Sequence, residues 1–126
     1  MQDAPRPIST IRDYHAHVYY DPATTRAAAE ALRASIDRGF VVRLGRWHDA
    51  LVGPHTGSMY QVAFAVDQFA TLVPFLMLNR GGLSVLVHPN TGAPRDDHLV
   101  HALWLGEPLA IRGDVLGVSE AEPGSP

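Results

Sequence analysis

The sequence contains no cysteine among its 126 residues. This absence excludes disulfide frameworks, zinc–thiolate sites, iron–sulfur clusters and thiol nucleophiles. The sequence also lacks an apolar run approaching the ~20 residues that a membrane-spanning helix needs, and its first residues form no apolar signal core. We therefore expect a single-domain cytoplasmic protein with no membrane partner.

Charged residues are few, and neither sign dominates. Ten Lys and Arg residues stand against thirteen Asp and Glu residues, which gives a formal net charge of −3. This balance argues against a nucleic-acid partner, because phosphate binding requires an excess of cationic groups. Glycine-rich phosphate loops and the Gly-x-Ser-x-Gly nucleophile motif are absent from the sequence, so nucleotide chemistry and α/β-hydrolase chemistry are not indicated.

Histidine is abundant by comparison, and it is the side chain that most often binds metals or transfers protons near neutral pH. The seven histidines are His15, His17, His48, His55, His88, His98 and His101.

The order of hydrophobic patterns predicts an α+β fold of the ferredoxin-like β-α-β-β-α-β type. We predict loose termini at residues 1–12 and 119–126 around one domain, residues 13–118, whose C-terminal extension (residues 91–117) ends in a short strand or turn at 109–118. The predicted strands are residues 14–20, 40–47, 59–66 and 83–88, and the predicted helices are residues 21–39 and 71–79.

Alternation along the first strand places His15 and His17 on one face, about 6.6 Å apart, with Ala16 and Val18 on the other. In a ferredoxin-like sheet the first and fourth strands are neighbours, which brings His88 close in an unknown register. Imidazoles that converge from neighbouring strands suit zinc, iron, copper or nickel. The simpler interpretation is that each histidine is a surface residue or a hydrogen-bonded core residue. This interpretation loses support as more histidines are predicted to be neighbours in the fold.

Other candidates lie in loops and in the extension. The rigid turn before His55 suits a proton shuttle or a substrate contact, whereas His48 alone resembles an exposed loop residue. His98 and His101 are three residues apart, so on a helical turn they would lie on the same side. We expect them to cover the open sheet face, either as metal ligands or as residues that contact the ligands. Arg46 is predicted either to bind an anionic group of the substrate or to form an ion pair at the surface. For Trp104 and Tyr19, core packing competes with a role in binding a flat substrate.

Several segments in order resemble the DOPA 4,5-dioxygenase family over about residues 13–110. Leu51 and Phe75 depart from the usual pattern of the family, and neither change removes a histidine. The matching segments are residues 14–20 (YHAHVYY), 45–48 (GRWH), 52–55 (VGPH), 59–64 (MYQVAF), 73–80 (VPFLMLNR), 87–92 (VHPNTG), His98 and 101–104 (HALW).

The resemblance implies a homodimer in which a non-haem ferrous ion supports extradiol cleavage of a catechol, DOPA-like or caffeate-like, by O₂. Zn²⁺ or another divalent metal is the alternative ion. A non-enzymatic dimer that binds a metal or small ligand is the alternative function, and purely structural histidines are the third. The site residues expected on this basis are His15, His17 and His88 as metal ligands; His55, His48 and His101 in catalysis, with His55 as acid–base; and Arg46, Tyr19 and Trp104 in substrate binding.

Overall fold

The computed structural model describes residues 4–120, which form an antiparallel sheet and three helices. Short 3₁₀ turns lie at Ile8–Thr10, Val66–Gln68 and Gly113–Val115. The elements are β1 (Asp13–Tyr20), α1 (Arg26–Gly39), β2 (Val42–Leu44), β3 (Ser58–Phe64), α2 (Phe69–Asn79), β4 (Val85–Asn90), α3 (Pro94–Leu99) and β5 (Leu103–Leu105).

The sheet has five strands in the order β2-β3-β1-β4-β5, and every neighbouring pair is antiparallel. This arrangement is consistent with the predicted ferredoxin-like α+β fold, to which β5 adds an edge strand. The strand or turn expected at residues 109–118 is the 3₁₀ turn Gly113–Val115, which follows a single bridge from Ile111 to His55. The strand of the extension, Leu103–Leu105, lies earlier and was not predicted. The homodimer stays a prediction.

The two sheet faces differ in what covers them. Ala16 and Val18 of β1 are buried against Leu32 of α1 and Leu72 of α2, and all four belong to the main core. On the opposite face a smaller apolar cluster surrounds Tyr19. We call this second side the histidine face, because His15 and His17 alternate with the core residues of β1 and project to it.

Helix α1 begins later than predicted. Asp21 was expected to cap a helix opening at Pro22, but its carboxylate accepts a hydrogen bond from the Ala23 N–H (2.9 Å) and its carbonyl accepts from Thr24 and Thr25. These bonds close a separate turn before the helix, which starts at Arg26. The error arises because an Asp–Pro pair favours turns and helix starts alike.

Helix α2 begins at Phe69, two residues before the predicted start, so Pro74 is an interior residue instead of a first-turn residue. Because proline has no N–H, the Ala70 carbonyl loses its usual helical partner. The earlier start places Phe69 against Tyr14, with ring centroids 4.7 Å apart, in the main core.

The predicted strand boundaries at residues 40–47 and 83–88 are also shifted. Strand β2 ends at Leu44, before Gly45, where a Cβ atom would lie 3.3 Å from the Gln61 Cβ. Strand β4 continues through Pro89 to Asn90. The Asn90 carbonyl accepts a hydrogen bond from the Arg12 N–H on the β1 side, so the backbone of Pro89 faces the opposite side. Pairing with β5 stops at Val87 on that side, so the missing N–H of Pro89 leaves no strand partner unpaired.

Parts of the segments predicted to be loose are hydrogen-bonded. Residues 8–10 form a 3₁₀ turn, and the Glu120 N–H donates to the Gly92 carbonyl at 2.8 Å. Residues 1–3 and 121–126, which also belong to those segments, lie outside the described residues. Within residues 4–120 the helices are all too short or too polar to cross a membrane.

Candidate metal centre

Strands β1 and β4 place three histidines side by side on the histidine face. His15 and His17 project there from β1, and His88 of β4 lies directly opposite His15 in the antiparallel register. The centroids of the His15 and His88 rings are 5.2 Å apart, as are those of the His17 and His88 rings. The sheet therefore assembles the three residues that the sequence pattern proposed as ligands.

The loop between β2 and β3 adds His55 to this group. Gly53 has a φ of 56°, a left-handed conformation that glycine adopts without steric cost, and it turns the chain sharply before Pro54. The His55 N–H donates to the Val52 carbonyl, and an isolated bridge pairs His55 with Ile111. The C-terminal segment thereby holds the loop against the sheet, with the rings of His55 and His17 4.2 Å apart.

Helix α3 adds the fifth histidine, His98. The buried carboxylate of Asp97 accepts hydrogen bonds from the Thr91 N–H (2.8 Å) and the Thr91 hydroxyl (2.6 Å), which tie the helix to the end of β4. This connection seats the His98 ring 3.9 Å from the His88 ring, measured between centroids.

The ring nitrogens lie close enough to share an ion. The Nε2 atoms of His17 and His88 are 3.1 Å apart. Candidate ligand atoms lie within 4.8 Å of one another in two groups, one of His15, His17 and His88 and one of His17, His55 and His98. Two nitrogens bound to one ion at about 2.1 Å are at most ~4.2 Å apart, so small side-chain shifts suffice for binding.

Burial keeps these imidazoles neutral. It lowers the pKa of His17 well below its usual value, and the neighbouring His55 and His88 lower that pKa further. Burial also lowers the pKa of His55 to about 4 and lowers the pKa of His88, His98 and His15. Because the neutral imidazole is the form that binds a metal, the cluster is in its ligating form at neutral pH.

Two backbone carbonyls determine which nitrogen carries the proton in His88 and His98. The Nδ1 of His88 lies 2.9 Å from the Pro89 oxygen, and the Nδ1 of His98 lies 2.7 Å from the Pro94 oxygen. A carbonyl oxygen only accepts, so each Nδ1 carries the hydrogen and each neutral ring keeps a lone pair on Nε2. Carbonyl partners of this kind orient imidazoles toward metals.

Three buried ring nitrogens have no hydrogen-bond partner within residues 4–120: Nδ1 of His17, Nε2 of His55 and Nε2 of His98. A buried polar atom without a partner costs about 1–3 kcal/mol. A cation bound among lone pairs would remove this cost, and neutral imidazoles are suitable donors for Fe²⁺, Zn²⁺ and similar ions. The residues present therefore fit a divalent metal.

In the described part of the chain, carboxylates do not take part in either candidate group. Asp97 adjoins His98 in sequence, but both of its oxygens accept hydrogen bonds from Thr91. Asp13, at the start of β1, accepts from the Asn90 side chain at 2.7 Å. The geometry thus offers imidazoles alone, unlike the two-histidine, one-carboxylate sites of many non-haem iron enzymes.

A cavity of about 300 Å³ leads from solvent to the cluster and is lined by His15, His88 and His98. Arg12 and Glu120, which form an ion pair, also line it. This volume lies at the lower end of the ~300–1,000 Å³ typical of small-molecule sites. The other two clustered histidines do not line this cavity, so a small molecule would reach the cluster from the His15 side.

Two histidines expected to act in catalysis belong to neither candidate ligand group. His48 forms a bridge with Met59 at the margin of the histidine face. His101 is exposed, and its Nε2 lies 3.4 Å from Arg6. The expectation that His101 shares a helical side with His98 is wrong, because α3 ends at Leu99.

The three predicted substrate contacts do not line the histidine cavity. Tyr19 is buried, donates to or accepts from His55 Nδ1 at 2.7 Å, and stacks on Trp104 with ring centroids 5.6 Å apart. Arg46 is exposed in the segment after β2. Direct contact with a substrate stays a prediction for all three residues.

His98 was not among the three predicted ligands, although the extension was expected to cover the sheet. A signal for its position exists in the sequence, since Pro94 occupies the first turn of α3 and Asp97 and His98 follow one turn later. This local pattern predicts a short helix, but it does not indicate that the helix packs against β4 and brings His98 to the other histidines.

A model of the Dopa 4,5-dioxygenase family matches residues 14–115. The chain belongs to the Dopa 4,5-dioxygenase family. It is 36% identical over 106 residues to the DOPA 4,5-dioxygenase of Amanita muscaria, covering 78% of this chain and 46% of that protein. It is 37% identical over 109 residues to an uncharacterized 21.2 kDa protein of Botryotinia fuckeliana, covering 78% and 60% respectively.

The chain therefore spans only about half of the length of these two relatives in the Dopa 4,5-dioxygenase family. It also resembles the crystal structure of a presumed dioxygenase from Nostoc punctiforme, with a TM-score of 0.85 and 48% sequence identity. That match covers 87% of this chain and 95% of the other. The matched family and the structural neighbour are both named as dioxygenases.

Proposed function

We propose that the chain catalyses extradiol cleavage of a catechol, DOPA-like or caffeate-like, by O₂ at a non-haem Fe²⁺ held by His15, His17 and His88. Membership of the family supports the reaction class. The observation that carries the site assignment is the cavity: His15 and His88 line it, and His17 completes their group within 4.8 Å. A metal held by this group would face the space that a substrate enters.

His98 is the residue best placed to take a proton from the catechol. It lines the cavity, its Nε2 has no partner among residues 4–120, and the Pro94 carbonyl holds the proton on its other nitrogen. Burial lowers the pKa of His98, so the ring is a neutral base at pH 7. His55, to which the sequence pattern assigned this role, lies behind the cavity and is the second candidate.

The remaining residues of the site exclude water and hold the rings in place. Tyr19, Met59 and Leu86 form the apolar cluster beside the histidines, with 4% exposure or less. When bound, a ferrous ion would supply the redox chemistry for O₂ and a template for both reactants. Both oxygen atoms of O₂ enter the product, and the ring bond beside the diol breaks, so no further reductant is required.

The test is to load the full chain anaerobically with Fe²⁺, measure bound metal, and follow O₂ uptake with DOPA, caffeate and protocatechuate. A yellow ring-fission product formed with equimolar O₂ uptake is expected. His17→Ala and His88→Ala should lose bound metal while remaining folded by circular dichroism. His101→Ala is the matched control, because that exposed histidine lies outside the cluster.

Two results would reject this proposal in different ways. If both alanine variants retain metal, the ligand set is wrong. If the protein binds Zn²⁺ tightly and consumes no O₂ with any catechol, the non-enzymatic metal-binding alternative is correct. The group of His17, His55 and His98 is the observation that favours this alternative, since His98 is the one member of this group that lines the cavity and a metal held there would be less open to a substrate.

A further inference from the structure

A second cavity, of about 340 Å³, lies on the sheet face opposite the histidine cluster. Tyr14 of β1 and Val87 of β4 line it, and both belong to the main core. The turn Ile8–Thr10, the start of α2 and strand β5 complete its walls. Because alternate residues of β1 and β4 project to opposite faces, this cavity is separate from the one that reaches His15 and His88.

The walls of this second cavity are apolar and partly aromatic. The rings of Tyr14 and Phe69 lie 4.7 Å apart at 41°, and Ile11 and Leu103 add aliphatic surface. Aromatic rings favour offset or tilted contact with another ring. The walls therefore suit a flat apolar group of about one ring, given the small volume.

The polar groups of this cavity are cationic or neutral. Arg6 Nη1 lies 3.4 Å from His101 Nε2, and both residues line the cavity. Of the described residues that line it, none is acidic, and Arg6 has no carboxylate partner within residues 4–120. A guanidinium without an acidic partner beside a second basic group favours a carboxylate, which it binds with two parallel hydrogen bonds.

We propose that this second cavity binds a small aromatic monocarboxylate, with the ring against Tyr14 and Phe69 and the carboxylate at Arg6 and His101. An apolar body combined with a single anionic end matches the distribution of apolar walls and basic rim. The proposal does not depend on the reaction at the histidine cluster, since the two cavities share no side chain.

Isothermal titration calorimetry of the full chain tests the proposal, with phenylacetate as the probe and phenylacetamide as its neutral isostere. Phenylacetate should bind with one site, and phenylacetamide about 10-fold more weakly, as expected for the loss of one charge-assisted hydrogen bond. Arg6→Gln should weaken phenylacetate binding by about the same factor and leave phenylacetamide binding unchanged. Arg38→Gln, at an exposed position on α1, is the matched control and should bind like the parent chain.

Ile8→Asp is a second test variant, because Ile8 lines this cavity and is 88% exposed. The new carboxylate should repel the carboxylate of phenylacetate, so phenylacetate should bind Ile8→Asp more weakly than the parent chain. Amide resonances of Ile11, Phe69 and Leu103 should shift on addition of phenylacetate. Equal affinity for the acid and the amide, unchanged affinity in Arg6→Gln, or shifts confined to residues around His15 would each overturn the proposal.

Discussion

The phenolic oxygen of Tyr19 and the Nδ1 atom of His55 are 2.7 Å apart, and both side chains are buried. Burial raises the pKa of Tyr19, so its hydroxyl stays protonated. Gly57 packs close to this ring, since a Cβ atom at that position would lie 3.3 Å from Tyr19 Cδ1. The hydrogen bond holds His55 with its Nε2 directed away from Tyr19, and it makes Tyr19 a positioning residue for the cluster.

Replacing Tyr19 by Phe removes this hydrogen bond and keeps the ring. We expect the free energy of unfolding to fall by about 1 kcal/mol, because His55 Nδ1 is left without its partner. The ¹⁵N chemical shifts of the His55 ring should change as its tautomers redistribute. Urea denaturation and histidine-selective NMR measure the two effects.

Tyr60→Phe is the matched control for this prediction. Tyr60 is also fully buried, but its hydroxyl donates to the Ala29 carbonyl on the α1 side of the sheet. It should lose a similar amount of stability without changing the His55 shifts. Unchanged His55 shifts in Tyr19→Phe would show that the tyrosine does not position that ring.

Alternation along β1 correctly predicted which side chains share a face, since Ala16 and Val18 are in the core and Tyr19 lies on the other side. The register of His15 opposite His88 was not predictable, because it depends on how β4 aligns along β1. Strand β5 was missed for a related reason. Its three residues are too few to show a period, and pairing with β4 defines the strand.

The histidine cluster was predictable in part. His15, His17 and His88 follow from strand pattern and topology, whereas His55 and His98 arrive through a loop and a six-residue helix whose positions depend on tertiary contacts. The Asp97–Thr91 hydrogen bonds that orient α3 join residues six apart in sequence, yet nothing in the local pattern indicates them. Sequence reasoning therefore found the part of the site on the sheet more readily than the part that covers it.

Acid should destabilise the metal-free protein through its neutral histidines. Burial lowers the folded-state pKa of His55 to about 4, while the unfolded-state value is about 6.5. Below about pH 6.5 the unfolded chain therefore binds a proton that the folded chain does not, and stability falls as pH falls. By pH 5, His55 alone should cost about 2 kcal/mol relative to pH 8.

Urea denaturation of the metal-free chain between pH 8 and pH 5 measures this loss. His55→Gln should show a shallower dependence on pH than the parent chain, whereas His101→Gln, at an exposed position, should show the same dependence. A free energy of unfolding that stays constant from pH 8 to pH 5 would mean that the buried histidines are already protonated or solvated.

His98→Gln should separate proton transfer from metal binding. Glutamine retains hydrogen-bonding groups but is not a base, so we expect metal content to be preserved while kcat with a catechol falls about 100-fold or more. Metal analysis and O₂ uptake provide the two readouts. His48→Gln is the control, because His48 does not line the histidine cavity. Loss of metal from His98→Gln would identify His98 as a ligand instead, and full activity would remove it from the mechanism.

Asp97→Asn tests whether the anchor of α3 maintains the cluster. The Asp97 carboxylate accepts from both the backbone N–H and the hydroxyl of Thr91 and is 2% exposed. An asparagine could still accept from the Thr91 N–H and donate to the Thr91 hydroxyl oxygen, but both hydrogen bonds would lose the carboxylate charge that strengthens them. We therefore expect a loss of about 2 kcal/mol in the free energy of unfolding. Metal affinity should fall as well, because weaker hydrogen bonds to Thr91 hold α3, and with it His98, less firmly against the end of β4.

Asp96→Asn is the comparison for this variant, since Asp96 is exposed on the same helix and carries the same charge. It should change the free energy of unfolding by no more than about 0.5 kcal/mol. If the two variants are equally stable in urea, the Thr91 hydrogen bonds do not hold α3 in place. If Asp97→Asn is less stable but binds metal as tightly as the parent chain, α3 contributes to folding and not to the metal centre.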